Sequence, residues 1–202
     1  MNEASKKKYS AAPIITDENL VNFARSIEEL QLFWLYCGFS VMRSRDRAQN
    51  ALAQLLDSGV GNLPFDRLAS LVQQGTLRAE LEATRIGGWE RLENFIRQTV
   101  ALKLDLQAGS LEDFEAVHGI GLAKARFFLL CTRDDVRVAV LDRHILQFLR
   151  DRGYADVPDV APKNRATYAR LEAYFLQEAE KAGVHPAPFN LEQWRERASD
   201  LK

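Results

Sequence analysis

Apolar residues recur three and four positions apart along almost the whole chain, and this period restricts the fold more than any other feature. It is the period of helices that each bury one face. Leu20, Phe23, Ile27, Leu30 and Phe33/Trp34 set the pattern first, behind Thr16/Asp17, which can cap a helix start near Asp17. Ala48, Leu52, Leu55 and Leu56 carry a second stretch that stops at Gly59/Gly61. FDRLASLVQQG, TLRAELEATR and residues 89–104 supply three more, the last with Trp89, Leu92, Phe95, Ile96 and Val100 on its buried face. Further stretches flank the glycines at 119 and 121, then follow in DRHILQFLRDRGY, residues 164–181 and LEQWRERASDLK, for about ten helices. DVPDVAPKN and His185–Pro188 read as loops. One β-branched run, DDVRVAVL at 134–141, has no second run to pair with and reads as a buried connector. The expected class is all-α. Residues 1–14 read as a flexible arm, and residues 15–202 as the folded domain.

The chain has 202 residues, of which 47% are apolar and 27% charged, an ordinary globular balance with enough chain for a sizeable core. With 27 basic and 28 acidic side chains the net charge is -1. That excludes a polybasic coat protein but not a local basic face on a neutral body. Cys37 and Cys131 are too few for a disulfide scaffold or a zinc cage, so a reducing, cytoplasmic setting is expected. His118, His144 and His185 lack metal-ligand spacing, and no metal site built from side chains is expected. No apolar run reaches the length of a membrane span, and the start does not resemble a secretory signal.

The stretch LEDFEAVHGIGLAKARFFLL, residues 111–130, carries more specific information. Two helices meet at Val117-His118-Gly119-Ile120-Gly121. The glycines permit a tight turn and a close approach of backbone to a ligand. Amides opening the second helix, with its positive dipole end behind them, suit a phosphate and read no base. Carbonyls of the same turn can hold a monovalent cation. A lone G-x-G is as well explained by a helix corner without a ligand. Leu111, Phe114 and Val117 before it, with Ile120 and Ala125 after, give instead a packed hairpin with an exposed glycine tip. Further on, Val138-Ala139-Val140-Leu141 delivers a single carboxylate, Asp142, to the start of a helix. Capping is the commonest work of such an aspartate. A carboxylate near a phosphate-binding hairpin also suits cleavage of a glycosidic bond, where a cationic sugar needs a nearby anion. The two roles are compatible.

The hairpin Gly119-Ile120-Gly121 together with Leu141-Asp142-Arg143-His144-Ile145-Leu146 resembles the helix-hairpin-helix DNA glycosylase superfamily with its Gly-Pro-Asp-type catalytic loop. Within it the chain is most similar to the type 2 8-oxoguanine DNA glycosylases, found mainly in archaea and some bacteria. The likeness spans about residues 20–202 and is most specific at 117–148. It implies two helical lobes with a lesion cleft between them, a hairpin at about 111–131 and a catalytic-aspartate loop at about 134–146. It also implies base-excision repair on double-stranded DNA holding a damaged or modified purine, by a monomer at the nucleoid without an organic cofactor. His118, Gly119, Gly121, Arg126 and Arg143 would then meet DNA. Trp194 and the terminal Lys202 would recognise the base, although their spacing is one residue short of the family's. Without the resemblance, Trp194 reads as core and Lys202 as a frayed end. Phe33, Trp34, Phe39 and Met42 are further aromatic or apolar candidates for a base slot, most of them expected in the core. Arg43, Arg45 and Arg47 read equally well as phosphate contacts or as surface ion pairs.

The chain departs from the family at one position. The pattern G-x-G-x-K ends in the lysine that attacks the anomeric carbon and forms a Schiff base. Here Ala123 stands in that place and Lys124 follows it. One residue along a helix turns a side chain by about 100°. The lyase step is therefore in question, and Lys124 fits a solvated or phosphate-contacting role better than the nucleophile's. Three explanations stay open: a monofunctional glycosylase using Asp142 and water, a reader that binds damaged DNA without cutting, or a nucleophile replaced to trap a complex. A helical adaptor without affinity for DNA is a further alternative.

Overall fold

The computed structural model describes residues 7–11 and 13–199 and is helical throughout those residues, with no strand among them. The helices are α1 (Ile27–Phe39), α2 (Arg45–Ser58), α3 (Pro64–Gln74), α4 (Leu77–Ala83), α5 (Trp89–Leu102), α6 (Leu111–Glu115), α7 (Leu122–Thr132), α8 (Arg143–Asp151), α9 (Arg165–Ala182) and α10 (Pro186–Ser199), preceded by a short 3-10 turn at Tyr9–Ala11. The chain divides into two compact units, Met1–Leu20 with Arg25–Ile120, and Val21–Ala24 with Gly121–Lys202.

In the first unit α1 to α6 pack around Phe33, Trp34, Phe39, Leu52, Leu55, Phe95 and Phe114, all fully buried. The one polar atom of Trp34 is satisfied there: its indole N–H donates to Thr99 Oγ1 at 3.1 Å. Helix α1 starts ten residues later than the apolar period suggests. Ser26 and Glu29 form a capping box, and the Arg25 guanidinium donates to the carbonyls of Asn19 and Leu20, which keeps the preceding segment in turns.

The expected loose arm is also corrected where it is described. Tyr9 is buried, its amide donates to Asp57 Oδ1 at 2.8 Å and its hydroxyl to Glu28 Oε1 at 2.7 Å. Arg67, itself buried, lies over the Tyr9 ring and donates to the carbonyls of Lys7, Leu56 and Gly61. These bonds and one buried ring offset the entropy of ordering a terminal segment.

The second unit is built on Ala139, Leu141, Ile145, Leu146, Phe148, Leu149, Tyr168, Leu171, Phe175, Ala179 and Phe189. Segment 134–142 forms neither helix nor strand, the connector its sequence suggests, with a bend at Asp134 and Asp135 and with Val138, Ala139 and Leu141 buried. Helix α10 begins at Pro186, five residues ahead of its expected start. Pro186 and Pro188 fall in the first turn, where a missing N–H costs nothing. His185, read as an uninformative loop residue, closes that end: its Nδ1 accepts the Ala187 amide at 3.2 Å and its carbonyl the Phe189 amide at 3.2 Å.

Candidate active site

Asp142 sits between the connector and α8, half-buried, with extended backbone. Its Oδ1 accepts the amides of His144 at 2.9 Å and Ile145 at 3.0 Å, so it does cap α8. Both bonds fall on the same oxygen. Oδ2 has no hydrogen-bond partner among the described residues. The cap orients the carboxylate and leaves half of it available.

Side chains of α9 fix the connector that carries it. The Tyr168 hydroxyl accepts the Leu141 amide and donates to the Ala139 carbonyl, each at 3.0 Å. Burial pushes the Tyr168 phenol far above the ordinary tyrosine range, so it stays a neutral donor. Glu172 Oε1 accepts the Ala139 amide at 2.8 Å and Arg126 Nε at 2.8 Å. Neither Tyr168 nor Glu172 was picked out from the sequence. Their spacing of four on a helix, which puts them on one face, is the signal that was there to read.

Arg126 was expected at a DNA phosphate. The structure buries it instead, 7% exposed, paired with Glu172 and stacked 4.3 Å from the Tyr168 ring centroid. Its charge serves the interior of the second unit. Arg143 opens α8, exposed, with Nε donating to His144 Nε2 at 3.2 Å. The His144 ring packs edge-on against Trp194, centroids 5.7 Å apart. Trp194 on α10 is 37% exposed, so part of its indole stays open beyond the contact with His144. Lys202 lies outside the described residues.

Ala123, in the first turn of α7, packs against the cluster that contains Leu141 and Ile145. The Lys124 ammonium lies 5.1 Å from the Phe127 ring centroid. At the glycine tip, His118 is exposed, and its amide donates to Gln98 Oε1 at 2.6 Å while Gln98 Nε2 donates to the Ala116 carbonyl. Gly119 has φ +80, the left-handed region. Gly121 is exposed at φ -100, and α7 starts there without a side-chain cap, so the Leu122 and Ala123 amides open the helix with no capping side chain.

The arginine cluster at 43–47 separates into two kinds. Arg45 pairs with Asp17 at 2.6 Å. Arg43 donates to the carbonyls of Ile86 and Met42, and Arg47 to that of Arg85. No carboxylate among the described residues lies within ion-pair distance of Arg43 or Arg47. Burial and the neighbouring Arg43 charge lower the Arg91 guanidinium below its usual range. Met42 stands beside them, 90% exposed, with φ 56. Phe33, Trp34 and Phe39 are core, as their spacing suggests.

Among the described residues no three His, Cys, Asp or Glu side chains gather as a metal site, and no helix is long and apolar enough to cross a membrane. No family model matches the chain. Solved structures do. The 8-oxoguanine DNA glycosylase of Thermotoga maritima matches with a TM-score of 0.61 at 23% identity, over 83% of this chain and 78% of that one. The 8-oxoguanine DNA glycosylase of Methanocaldococcus jannaschii matches at 0.66 and 18%, over 90% and 84%. The glycosylase/lyase of the same organism in complex with a 15mer DNA containing 8-oxoguanine matches at 0.66 and 18%, over 91% and 89%. The all-helical fold of this chain is therefore the one that these 8-oxoguanine DNA glycosylases share.

Proposed function

We propose that this protein is a base-excision DNA N-glycosylase that removes an oxidised purine, 8-oxoguanine, from double-stranded DNA. The observation that carries this reading is the Asp142 carboxylate: one oxygen held by two amides, the other without a hydrogen bond, in a fold shared with 8-oxoguanine DNA glycosylases. Breaking the bond between C1′ and the purine nitrogen leaves positive charge on the sugar. Oδ2 of Asp142 stabilises that charge, water adds to C1′ and leaves a hydroxyl there, and the one proton it gives up ends on the departing base. Trp194 supplies a face for the everted base. Arg143, His118, Gly119 and Gly121, with Arg43 and Arg47, bind phosphates, and the hairpin carbonyls are the place for a monovalent cation.

Ala123 decides the second half of the chemistry. A methyl group does not attack C1′, and the Lys124 amine is turned over Phe127. The reaction therefore ends at base release, without a Schiff base or strand cleavage. The same alanine favours the second reading, a protein that binds the lesion without turnover.

Single-turnover assays on a duplex with one 8-oxoguanine separate these. The wild-type chain releases free base, and borohydride traps no adduct. Asp142→Asn releases none yet keeps its affinity for the lesion duplex, because asparagine caps a helix as well as aspartate does. Ala123→Lys, in the first turn of a helix where lysine is well tolerated, gains a trappable adduct. Absence of base release by the wild-type chain would leave the reader in its place.

A further inference from the structure

We infer that Tyr168 and Glu172, one helical turn apart on α9, are positioning residues for the Asp142 carboxylate. This rests on reading Asp142 as the group that stabilises the sugar cation. Segment 139–141 belongs to no helix and Ala139 and Leu141 are buried, yet no strand lies beside it among the described residues. Buried backbone amides and carbonyls need partners. Two side chains of α9 stand in for the missing strand. Tyr168 takes the Leu141 amide and gives its proton to the Ala139 carbonyl. Glu172 takes the Ala139 amide. Three of the backbone groups just ahead of Asp142 are thus bound to one helix face.

Glu172 makes a second connection. Its Oε1 also accepts Arg126 Nε, and Arg126 belongs to α7, the helix that carries Ala123. The Arg126 guanidinium is stacked on the Tyr168 ring at 4.3 Å. Arg126, Tyr168 and Glu172 form one buried group that locks α7, α9 and the connector together, with Arg126 and Glu172 only 8% and 12% exposed at their side chains. A carboxylate stabilises a transient cation only where it is already in place, and a misplacement of about 1 Å can cost about 100-fold in rate. Tyr168→Phe keeps the ring and its packing but removes both bonds. Glu172→Gln keeps an acceptor for the Ala139 amide but loses the charge that holds Arg126.

The test measures base release at saturating enzyme for wild type, Asp142→Asn, Tyr168→Phe and Glu172→Gln, beside affinity for the lesion duplex and amide exchange in the free protein. Tyr168→Phe is expected to slow release by about 10- to 100-fold, with affinity within about twofold and with faster exchange at Leu141. Glu172→Gln is expected to slow release less and to speed exchange at Ala139. Should Tyr168→Phe fail to fold, Glu172→Gln carries the test by the same two readouts. Folded variants that release base at the wild-type rate would overturn the inference while leaving Asp142 its role. Release by Asp142→Asn at the wild-type rate would overturn the reading of Asp142 and this inference with it.

Discussion

Gly119 and Gly121 stand two residues apart and are glycine for different reasons. At Gly119 the backbone has φ +80, and a Cβ would come within 3.2 Å of Arg91 Cγ and Nη1. Gly119→Ala should cost about 1–2 kcal/mol of stability. At Gly121 φ is -100 and a Cβ would meet nothing within 4 Å. Nothing inside the protein demands a glycine there, and a phosphate drawn close to the backbone would. Gly121→Ala should leave the stability within about 0.5 kcal/mol of wild type and weaken binding to duplex DNA. A loss of stability without a loss of affinity would contradict this. The glycine pair was legible in the sequence because its conformational meaning is local. Arg126 was not, because its type and spacing do not say whether a carboxylate waits inside. Only the folded second unit brings Glu172 to it.

Helix starts follow a similar division. Ser26 with Glu29 and Ser110 with Asp113 form capping boxes whose pattern is written in four residues. Yet α1 was expected from Asp17, since apolar spacing alone continues backwards through turns that the Arg25 guanidinium holds open. At α10 the prolines read as a loop, although proline in a first turn is compatible with a helix. The boxes have a consequence with pH. Backbone and side-chain hydrogen bonds from Ser26 hold Glu29 below the usual carboxylate range, and those from Ser110 do the same for Asp113. For Asp57, burial acts upward but the bonds from Ser10 and Tyr9 prevail and lower it. A carboxyl group with a depressed value in the folded state stabilises above its unfolded value, about 4, and that contribution is lost as pH falls through the folded one. The urea midpoint should therefore fall steeply below about pH 4, and less steeply in Glu29→Gln. Ser26→Ala should cost about 1 kcal/mol at pH 7.

At the scale of the whole molecule the charge is nearly balanced, -1 in total, so the proposed binding of DNA would have to draw on a local concentration of charge. Arg47 is exposed, and among the described residues its guanidinium is bonded to a carbonyl and to no carboxylate, which leaves a charge of that kind. Arg47→Ala should weaken binding about equally across sequences and reduce the slope of log K against log salt by about 1. An unchanged slope would remove Arg47 from the interface. The all-helical class was legible because a 3.6-residue period survives any arrangement of helices. Two lobes were expected from the resemblance, but the place where the units divide was not legible, since it depends on contacts between distant segments. Val21–Ala24 illustrates this: the four residues belong with Gly121–Lys202, where the Asn22 amide donates to the Cys131 carbonyl at 3.0 Å and Phe23 packs on His185. A gene fragment opening at codon 121 would lack them and strip the Cys131 carbonyl and the His185 ring of these neighbours. A cut after Ile120 keeps every residue of the first unit together but parts the second from Val21–Ala24, so a stretch of coding sequence that carries the second unit whole has to reach back across the first.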